Sequence, residues 1–268
     1  MKPMEDELQL RIHGEASLPT LIYLPGLHGD WTLVSSFRKH IFGKVRFVEM
    51  TYPRTLVWSL GDYAAAIAEA LAQKGIVSGW LLGESFGSQI LWTMLDRKKF
   101  KADGVILAGG FVRHPMKWAV RLVERTFGNL SLRTITWMIF TYAKIAKFRY
   151  RKSPETLRTL DDFVGRRTKL DLQAAQHRLH LMAENDLRDF ARHTTIPVYG
   201  ITGFFDPIVP WPFVRRWLRK NCSALRDYKI IHRGDHMVCG TAPRQAARQV
   251  LEWMNGPQQM AEDSIRLF

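Results

Sequence analysis

The sequence predicts an α/β protein with a mostly parallel central sheet of about eight strands, helices on both faces and a helical cap insertion. Three observations lead to this prediction. Short apolar runs alternate with amphipathic stretches, the alternation stops between residues 111 and 195, and it then resumes. Alternating strands and helices are typical of a parallel sheet covered on both sides. A chain of 268 residues is long enough for one such domain with an insertion.

The first part of the chain predicts five strands and two helices. Residues 8–12 alternate apolar and polar side chains, as an edge strand does when one face meets water. Apolar runs predict buried strands over residues 20–24, 77–82 and 104–108. A further strand is predicted over residues 45–50, which Tyr52-Pro53 closes. Apolar residues at helical spacing predict helices over residues 60–74 and 88–95, and Gly75 ends the first of them.

The last part of the chain returns to the sheet. Strands are predicted over residues 196–203 and 227–231, and a closing helix over 242–253, with Pro243 near its start. The helical stretch 111–195 is too long to be a loop inside a compact domain. We therefore expect a core formed by residues 1–110 and 196–268, with residues 111–195 forming a cap or lid over the C-terminal edge of the strands.

The pattern Gly83-Glu84-Ser85-Phe86-Gly87 lies between a predicted strand and a predicted helix. This context is typical of a nucleophilic serine, because small residues two positions before and after it allow a tight turn. The turn lifts the hydroxyl above the sheet edge, and the following helix N-terminus favours a developing negative charge. A glycine-rich turn with an incidental serine is the alternative interpretation of these five residues alone.

A serine hydroxyl needs a base, and the base needs an orienting carboxylate. Asp206 follows the strand predicted over 196–203, and His236 follows the last predicted strand. Taken alone, each is better explained as an ordinary loop residue, Asp206 as a turn aspartate before proline. Together, the order Ser85, Asp206, His236 at three strand ends is the order expected for a catalytic triad on this kind of sheet. We predict that Ser85 is the nucleophile, His236 the base and Asp206 its orienting acid.

Other titratable residues compete for these roles. His232 and His193 are the nearest rival bases, and His232 is expected at the end of the last strand, where it packs locally. Asp235, Glu84 and Asp30 are interpreted as local hydrogen-bonding residues, with Glu84 alternatively holding the turn at Ser85 or tuning the base. The other position for an acid, after the strand at 104–108, holds Gly109, Gly110 and Phe111.

Two backbone amides are expected to form an oxyanion hole. One is the amide of Phe86, directly after the nucleophile. The other lies in the glycine-rich loop after the strand at 20–24, where open α/β sheets place their ligands. Leu27 is the predicted donor in that loop, and His28 and Gly29 leave the assignment open by one residue.

These motifs resemble the α/β-hydrolase superfamily over nearly the whole chain. The most specific are the turn at Ser85, the segment 203–210 and Gly234-Asp235-His236. The resemblance implies an eight-stranded sheet, a triad of Ser85, Asp206 and His236, a helical cap between the sixth and seventh strands, and no metal or organic cofactor. Pro25-Gly26 stands where members usually have His-Gly, and this form is similar to the esterase, lipase and thioesterase branch, which includes acyltransferases. The aspartate nucleophile of haloalkane dehalogenases and epoxide hydrolases is absent.

The predicted cap carries much of the net charge of +14, since residues 111–195 hold 17 Lys and Arg against 8 Asp and Glu, a difference of +9. The apolar stretch 135–143 runs directly into five cations. Aromatic residues beside cations are typical of a lid that meets lipid or an anionic headgroup. A cap helix with a solvated basic end is the alternative. The five cations are Lys144, Lys147, Arg149, Arg151 and Lys152.

These residues favour a serine hydrolase that cleaves carboxylic esters with a lipophilic acyl group through an acyl-enzyme. An acyltransferase or thioesterase with the same acyl-enzyme is the alternative, and a non-catalytic ligand receptor on a hydrolase fold is the second. An anionic lipid surface or an acyl carrier is the expected partner of the five cations, and no nucleic-acid motif is visible. Without a long apolar run, a signal peptide or a cysteine framework, we expect a cytoplasmic protein that can associate peripherally with a membrane.

Overall fold

The computed structural model describes residues 7–129, 144–145, 147–165 and 168–265. These residues form a seven-stranded sheet made of β1 (Gln9–His13), β2 (Thr20–Leu24), β3 (Arg46–Thr51), β4 (Ser78–Glu84), β5 (Lys101–Ala108), β6 (Val198–Phe205) and β7 (Leu225–Asp235). The strand order is β1-β3-β2-β4-β5-β6-β7. β1 pairs antiparallel with β3, and all other neighbours are parallel. The predicted fold class is therefore confirmed.

The sheet differs from the prediction in the number and length of its strands. Within the described residues it has seven strands, one fewer than the eight that the family resemblance implies. The antiparallel β1 forms one edge of this sheet. β6 continues to Phe205, two residues beyond the predicted end, so Phe204 and Phe205 belong to the strand. β7 extends to Asp235, which places His232 inside the strand.

The described helices are α1 (Ser35–Ile41), α2 (Leu60–Gln73), α3 (Gly87–Asp96), α4 (Lys117–Asn129), α5 (Pro154–Gly165), α6 (Lys169–Glu184), α7 (Arg188–His193), α8 (Trp211–Asn221), α9 (Val238–Thr241) and α10 (Pro243–Ile265). The last contains a break at Gly256, where φ is +67°. Helices α1 and α8 are not among the predicted elements. Both are short and neither contains a long apolar run, and in α8 only Val214 and Leu218 are buried.

Helices cover both faces of the sheet, which explains why its central strands read as continuous apolar runs. Leu21 and Tyr23 of β2 pack in the core under α1 and α10, whereas Ile22 and Leu24 pack in the core under α2, α3 and α8. Side chains alternate between the two faces along a strand. Because β2, β4, β5, β6 and β7 are parallel to one another, their C-terminal ends lie at one edge of the sheet.

Helices α4 to α7 lie between β5 and β6, in the stretch predicted to form the cap. α6 is well defined at its start by a capping box, in which Thr168 and Asp171 bond to each other's backbone amides. The predicted apolar stretch 135–143 lies outside the described residues. Within the residues that are described, no helix is long and apolar enough to cross a membrane.

Candidate active site

Ser85 lies on the sharp turn between β4 and α3. Its φ is +50°, a value that is rare for a residue with a side chain and marks a strained turn. A Cβ on Gly87 would lie 2.1 Å from the carbonyl oxygen of Leu24, and one on Gly83 would lie 2.9 Å from Cα of Ser88. The turn therefore requires glycine on both sides of the serine, as the sequence pattern predicts.

The structure brings the three predicted triad residues together. Nε2 of His236 lies 2.8 Å from Oγ of Ser85, and Nδ1 of His236 lies 2.8 Å from Oδ2 of Asp206. Asp206 directly follows β6, and His236 directly follows β7. The side chain of Asp206 is fully buried and that of His236 nearly so. The imidazole therefore lies between a hydroxyl and a carboxylate that bulk water does not reach.

The carboxylate of Asp206 is fixed by its own loop. Its Oδ1 accepts hydrogen bonds from the amides of Ile208 and Val209, at 2.9 and 2.8 Å. Its Oδ2 remains available to His236. Because backbone donors hold one oxygen in place, the other is oriented toward the imidazole before any substrate binds.

The surroundings of His236 change its basicity. Burial lowers the pKa of His236, but the charge and hydrogen bond of Asp206 raise it, as do the charges of Glu84 and Asp235, and the net pKa lies above 6.5. The imidazole is therefore a stronger base than an isolated histidine. Such a base is suited to accepting the proton of Ser85.

Glu84, next to the nucleophile, points into the sheet and is almost fully buried. Its Oε2 accepts a hydrogen bond from the hydroxyl of Tyr23 on β2. Burial raises the pKa of Glu84 to about 7, although the bond from Tyr23 and the charge of His236 lower it. The sequence pattern allows Glu84 either a structural or a tuning role. The structure shows a buried carboxyl bonded to Tyr23, and its charge is one of the causes that raise the pKa of His236.

The rival residues lie in other surroundings. His232 is exposed on β7 and stacks on Phe204, with ring centroids 5.7 Å apart. His193 is exposed at the end of α7 and bonds to the carbonyl oxygen of Asp189. Asp235 accepts bonds from the amide of Met237 and the hydroxyl of Thr241, and Asp30 accepts one from the amide of Thr32. Neither rival histidine is hydrogen-bonded to Ser85.

The end of β5, the other position for an acid, is sterically closed. Gly109 has a φ of +55°, and a Cβ there would lie 2.7 Å from the carbonyl oxygen of His236 and 3.2 Å from its Nδ1. A Cβ on Gly110 would lie 2.9 Å from Cβ of Ser88. A side chain at position 109 would therefore be strained and would crowd both the backbone and the imidazole of His236.

Of the two predicted oxyanion donors, Phe86 directly follows Ser85, and Leu27 lies in the loop that approaches Ser85 at Gly26. Phe86 is buried at the start of α3, and Gly26, the neighbour of Leu27, lies so close that a Cβ on it would be 3.4 Å from Cβ of Ser85. Among the described residues, neither the amide of Leu27 nor that of Phe86 donates a hydrogen bond. Both are therefore free to bind a developing negative charge beside Ser85.

A mostly parallel sheet that presents a serine on a strand-to-helix turn beside a histidine and an aspartate defines an α/β hydrolase. The family model described as serine aminopeptidase, S33, matches residues 52–241, and the chain belongs to this family. The match includes Ser85, Asp206 and His236 but not the loop that carries Leu27. A comparison with curated protein sequences gives no significant match.

Several solved structures share the fold. An esterase from Thermogutta terrifontis is 17% identical and superposes with a TM-score of 0.75, covering 92% of this chain and 93% of the esterase. An esterase from Exiguobacterium antarcticum is 15% identical, with a TM-score of 0.75 over 93% of this chain and 96% of its own. A hydrolase from Pseudomonas aeruginosa is 12% identical, with a TM-score of 0.77 over 93% and 94%. At these identities the similarity establishes the fold.

Proposed function

We propose that this protein is a serine hydrolase that cleaves carboxylic esters with a lipophilic acyl group. The observation that carries this proposal is the continuous hydrogen-bonded chain from Oγ of Ser85 through the imidazole of His236 to Oδ2 of Asp206. A chain of this kind activates a hydroxyl that is otherwise a poor nucleophile. The esterases among the similar folds support the choice of ester substrates.

In this reaction Oγ of Ser85 attacks the carbonyl carbon, and its proton moves to Nε2 of His236. The amides of Leu27 and Phe86 bind the negative oxygen of the tetrahedral intermediate. The intermediate collapses when His236 gives its proton to the leaving alcohol, which departs and leaves an acyl group on Ser85. A water molecule then loses a proton to Nε2 of His236 and attacks the acyl carbon. The bond from that carbon to Oγ of Ser85 breaks as His236 returns the proton to Oγ, which releases the carboxylic acid and restores the free serine.

Acyl transfer to an alcohol, or hydrolysis of a carrier-bound thioester, would use the same acyl-enzyme. The positive charge of the cap favours a phosphate-bearing acyl carrier and is the reason to keep this second function. Cleavage of aminoacyl peptides, which the family description suggests, would require binding a positively charged amino group. The net charge of +9 over residues 111–195 disfavours such a substrate.

We further propose that the cap cations contact an anionic lipid surface. Arg149 lies over the ring of Phe205, with its Cζ 3.7 Å from the ring centroid, and Arg151 lies 4.5 Å over Phe148. These rings are exposed, Phe205 by 52% and Phe148 by 71%. Exposed aromatic rings beside cations suit the interface between headgroups and acyl chains. Lys147 is in an ion pair with Asp161, so it contributes less.

The experiment is a substrate panel run on wild type and on Ser85→Ala. We expect the highest kcat/KM on p-nitrophenyl esters of lipophilic acids, with lower values on acyl-CoA thioesters and aminoacyl p-nitroanilides. Ser85→Ala should lose turnover and labelling by a fluorophosphonate with an unchanged melting temperature. Ser17→Ala, which removes an exposed hydroxyl elsewhere, should behave as wild type. A wild type that is inert to every ester and to the probe would indicate a ligand receptor.

A further inference from the structure

Arg178 of α6 is a cation in the interior of the protein. Its side chain belongs to the predicted cap, yet the residue is only 2% exposed. Among the described residues, no carboxylate lies within ion-pair distance of its guanidinium. Burying a charge without an opposite charge is costly unless other polar groups replace the lost water. An apolar side chain of similar size would avoid this penalty, so the groups that Arg178 binds indicate what the charge does.

Backbone carbonyls replace the water around Arg178. Its Nη1 donates to the carbonyl oxygen of Leu27 at 2.9 Å, and its Nη2 donates to that of Pro53 at 3.0 Å. Its Nε lies 3.4 Å from the hydroxyl of Tyr63, and its Cζ lies 5.4 Å from the ring centroid of Tyr52. The planar fork of an arginine can hold two carbonyls at once in fixed directions, which a lysine cannot.

The same contacts fix the loop that carries the predicted oxyanion donor. Tyr52 holds both of its ends, donating from its hydroxyl to the carbonyl oxygen of Pro25 and from its amide to that of Gly29. Arg178 holds the middle, at Leu27. Gly29 leaves room for this, because a Cβ on it would lie 2.3 Å from Nη1 of Arg178. The carbonyl oxygen of Gly26, in the peptide that carries the donor amide of Leu27, accepts from the amide of Gly29 at 3.0 Å. Arg178 holds the next peptide through the carbonyl of Leu27, so Leu27 is fixed on both sides of its Cα.

We propose that Arg178 is a positioning residue that holds the oxyanion loop and couples the cap to the chemistry at Ser85. This inference rests on the proposed hydrolase function. It assigns to α6 a role in the rate of the reaction besides covering the site: when α6 is docked, the amide of Leu27 is held in place. Loss of the guanidinium leaves the loop attached at its two ends and released in its middle.

The test compares Arg178→Met and Arg178→Lys with wild type, with kcat expressed per site titrated to completion by a fluorophosphonate. We expect Arg178→Met to lower kcat by about 10²-fold, near the effect of losing one oxyanion donor, with KM changed little. Affinity for a boronic acid, which forms a tetrahedral adduct on Ser85, should fall by the same factor as kcat/KM. Arg178→Lys should recover part of both, since an amine reaches one carbonyl.

Arg54→Met is the matched control. It removes another cation that ties α6 to the same region, through the 2.7 Å ion pair of Arg54 with Asp171. It should lower the melting temperature without changing kcat per site or boronic-acid affinity. An Arg178→Met protein with wild-type kcat per site and boronic-acid affinity would overturn the proposal. A wild type that turns over no ester would overturn the hydrolase function, and the boronic-acid affinities would still decide the role of Arg178.

Discussion

Nε2 of His236 lies 2.8 Å from Oγ of Ser85, although 151 positions separate the two residues in the chain. Both residues come directly after parallel strands, so they lie at the same edge of the sheet. Asp206 reaches His236 from a third strand end. The role of each of these three residues can therefore be tested by substituting one residue at a time.

Replacing Asp206 by Asn should lower kcat by about 10⁴-fold, because the amide no longer stabilises the imidazolium or holds the tautomer that Ser85 requires. Asp235→Asn is the matched control. Asp235 bonds to Met237 and Thr241, so its loss should reduce stability far more than kcat. Near-normal turnover by Asp206→Asn, with a large loss in Asp235→Asn, would move the orienting role to Asp235. The measurement is kcat on one p-nitrophenyl ester.

The pH dependence of the rate should report His236 and its buried neighbour Glu84. His236 must be neutral to accept a proton, and its pKa is raised, so kcat/KM should fall with decreasing pH through a midpoint above 6.5. Glu84→Gln removes the partial negative charge that this carboxyl carries near pH 7, and that charge raises the pKa of His236, so the midpoint should shift to lower pH. Glu49→Gln, a change of another buried carboxyl on β3, should leave it in place. An unshifted midpoint in Glu84→Gln would show that Glu84 does not act on the base.

Glu84 should also make the folded state less stable as pH rises. Its pKa is about 7 in the folded protein against an ordinary value of 4.5, so the folded state binds this proton more tightly. Between pH 4.5 and about pH 7 the unfolded chain carries fewer protons than the folded protein. The free energy of unfolding therefore falls as pH rises through this range, by about 3 kcal/mol in all. Glu84→Gln should therefore reduce the difference in melting temperature between pH 5 and pH 8. An unchanged difference would contradict the raised pKa.

Binding to anionic vesicles should depend on the position of charge as well as on its amount. A variant with Lys144, Arg149, Arg151 and Lys152 changed to Gln should lose co-sedimentation with anionic vesicles at low salt, since each cation near such a surface contributes about 1 kcal/mol. Its turnover of a short, neutral ester should be unchanged. The control changes four exposed lysines at the opposite edge of the sheet, Lys74, Lys98, Lys99 and Lys101. Equal binding by both variants would leave the cap cations as a solvated surface.

The sheet and the residues of the candidate triad could be predicted because both depend on local patterns. The strands at 20–24 and 104–108 are continuous apolar runs, and β2 has the predicted bounds. Ser85, Asp206 and His236 each follow a strand, and parallel strands bring their ends to one edge. The order of three residue types along the chain was therefore enough to predict that they meet.

The buried polar contacts could not be predicted, because they depend on residues far apart in sequence. Tyr23 and Glu84 are 61 positions apart, and the hydrogen bond between them is visible only once β2 and β4 are paired. Arg178 is one of 39 Lys and Arg residues, and nothing in its sequence neighbourhood marks it as the one that is buried. Leu27, whose carbonyl it binds, is 151 positions away. These contacts form only when distant elements pair and dock, so a local sequence pattern does not predict them.

The glycine at position 109 also limits how this active site could evolve. In a sheet of this kind the orienting acid can in principle migrate from one strand end to the next, through an intermediate with carboxylates at both. Here a side chain at position 109 would lie 2.7 Å from the carbonyl oxygen of His236 and 3.2 Å from its Nδ1, and would crowd the predicted base. Backbone crowding at the end of β5 thus holds the acid on β6, independently of how well a carboxylate there could serve the reaction.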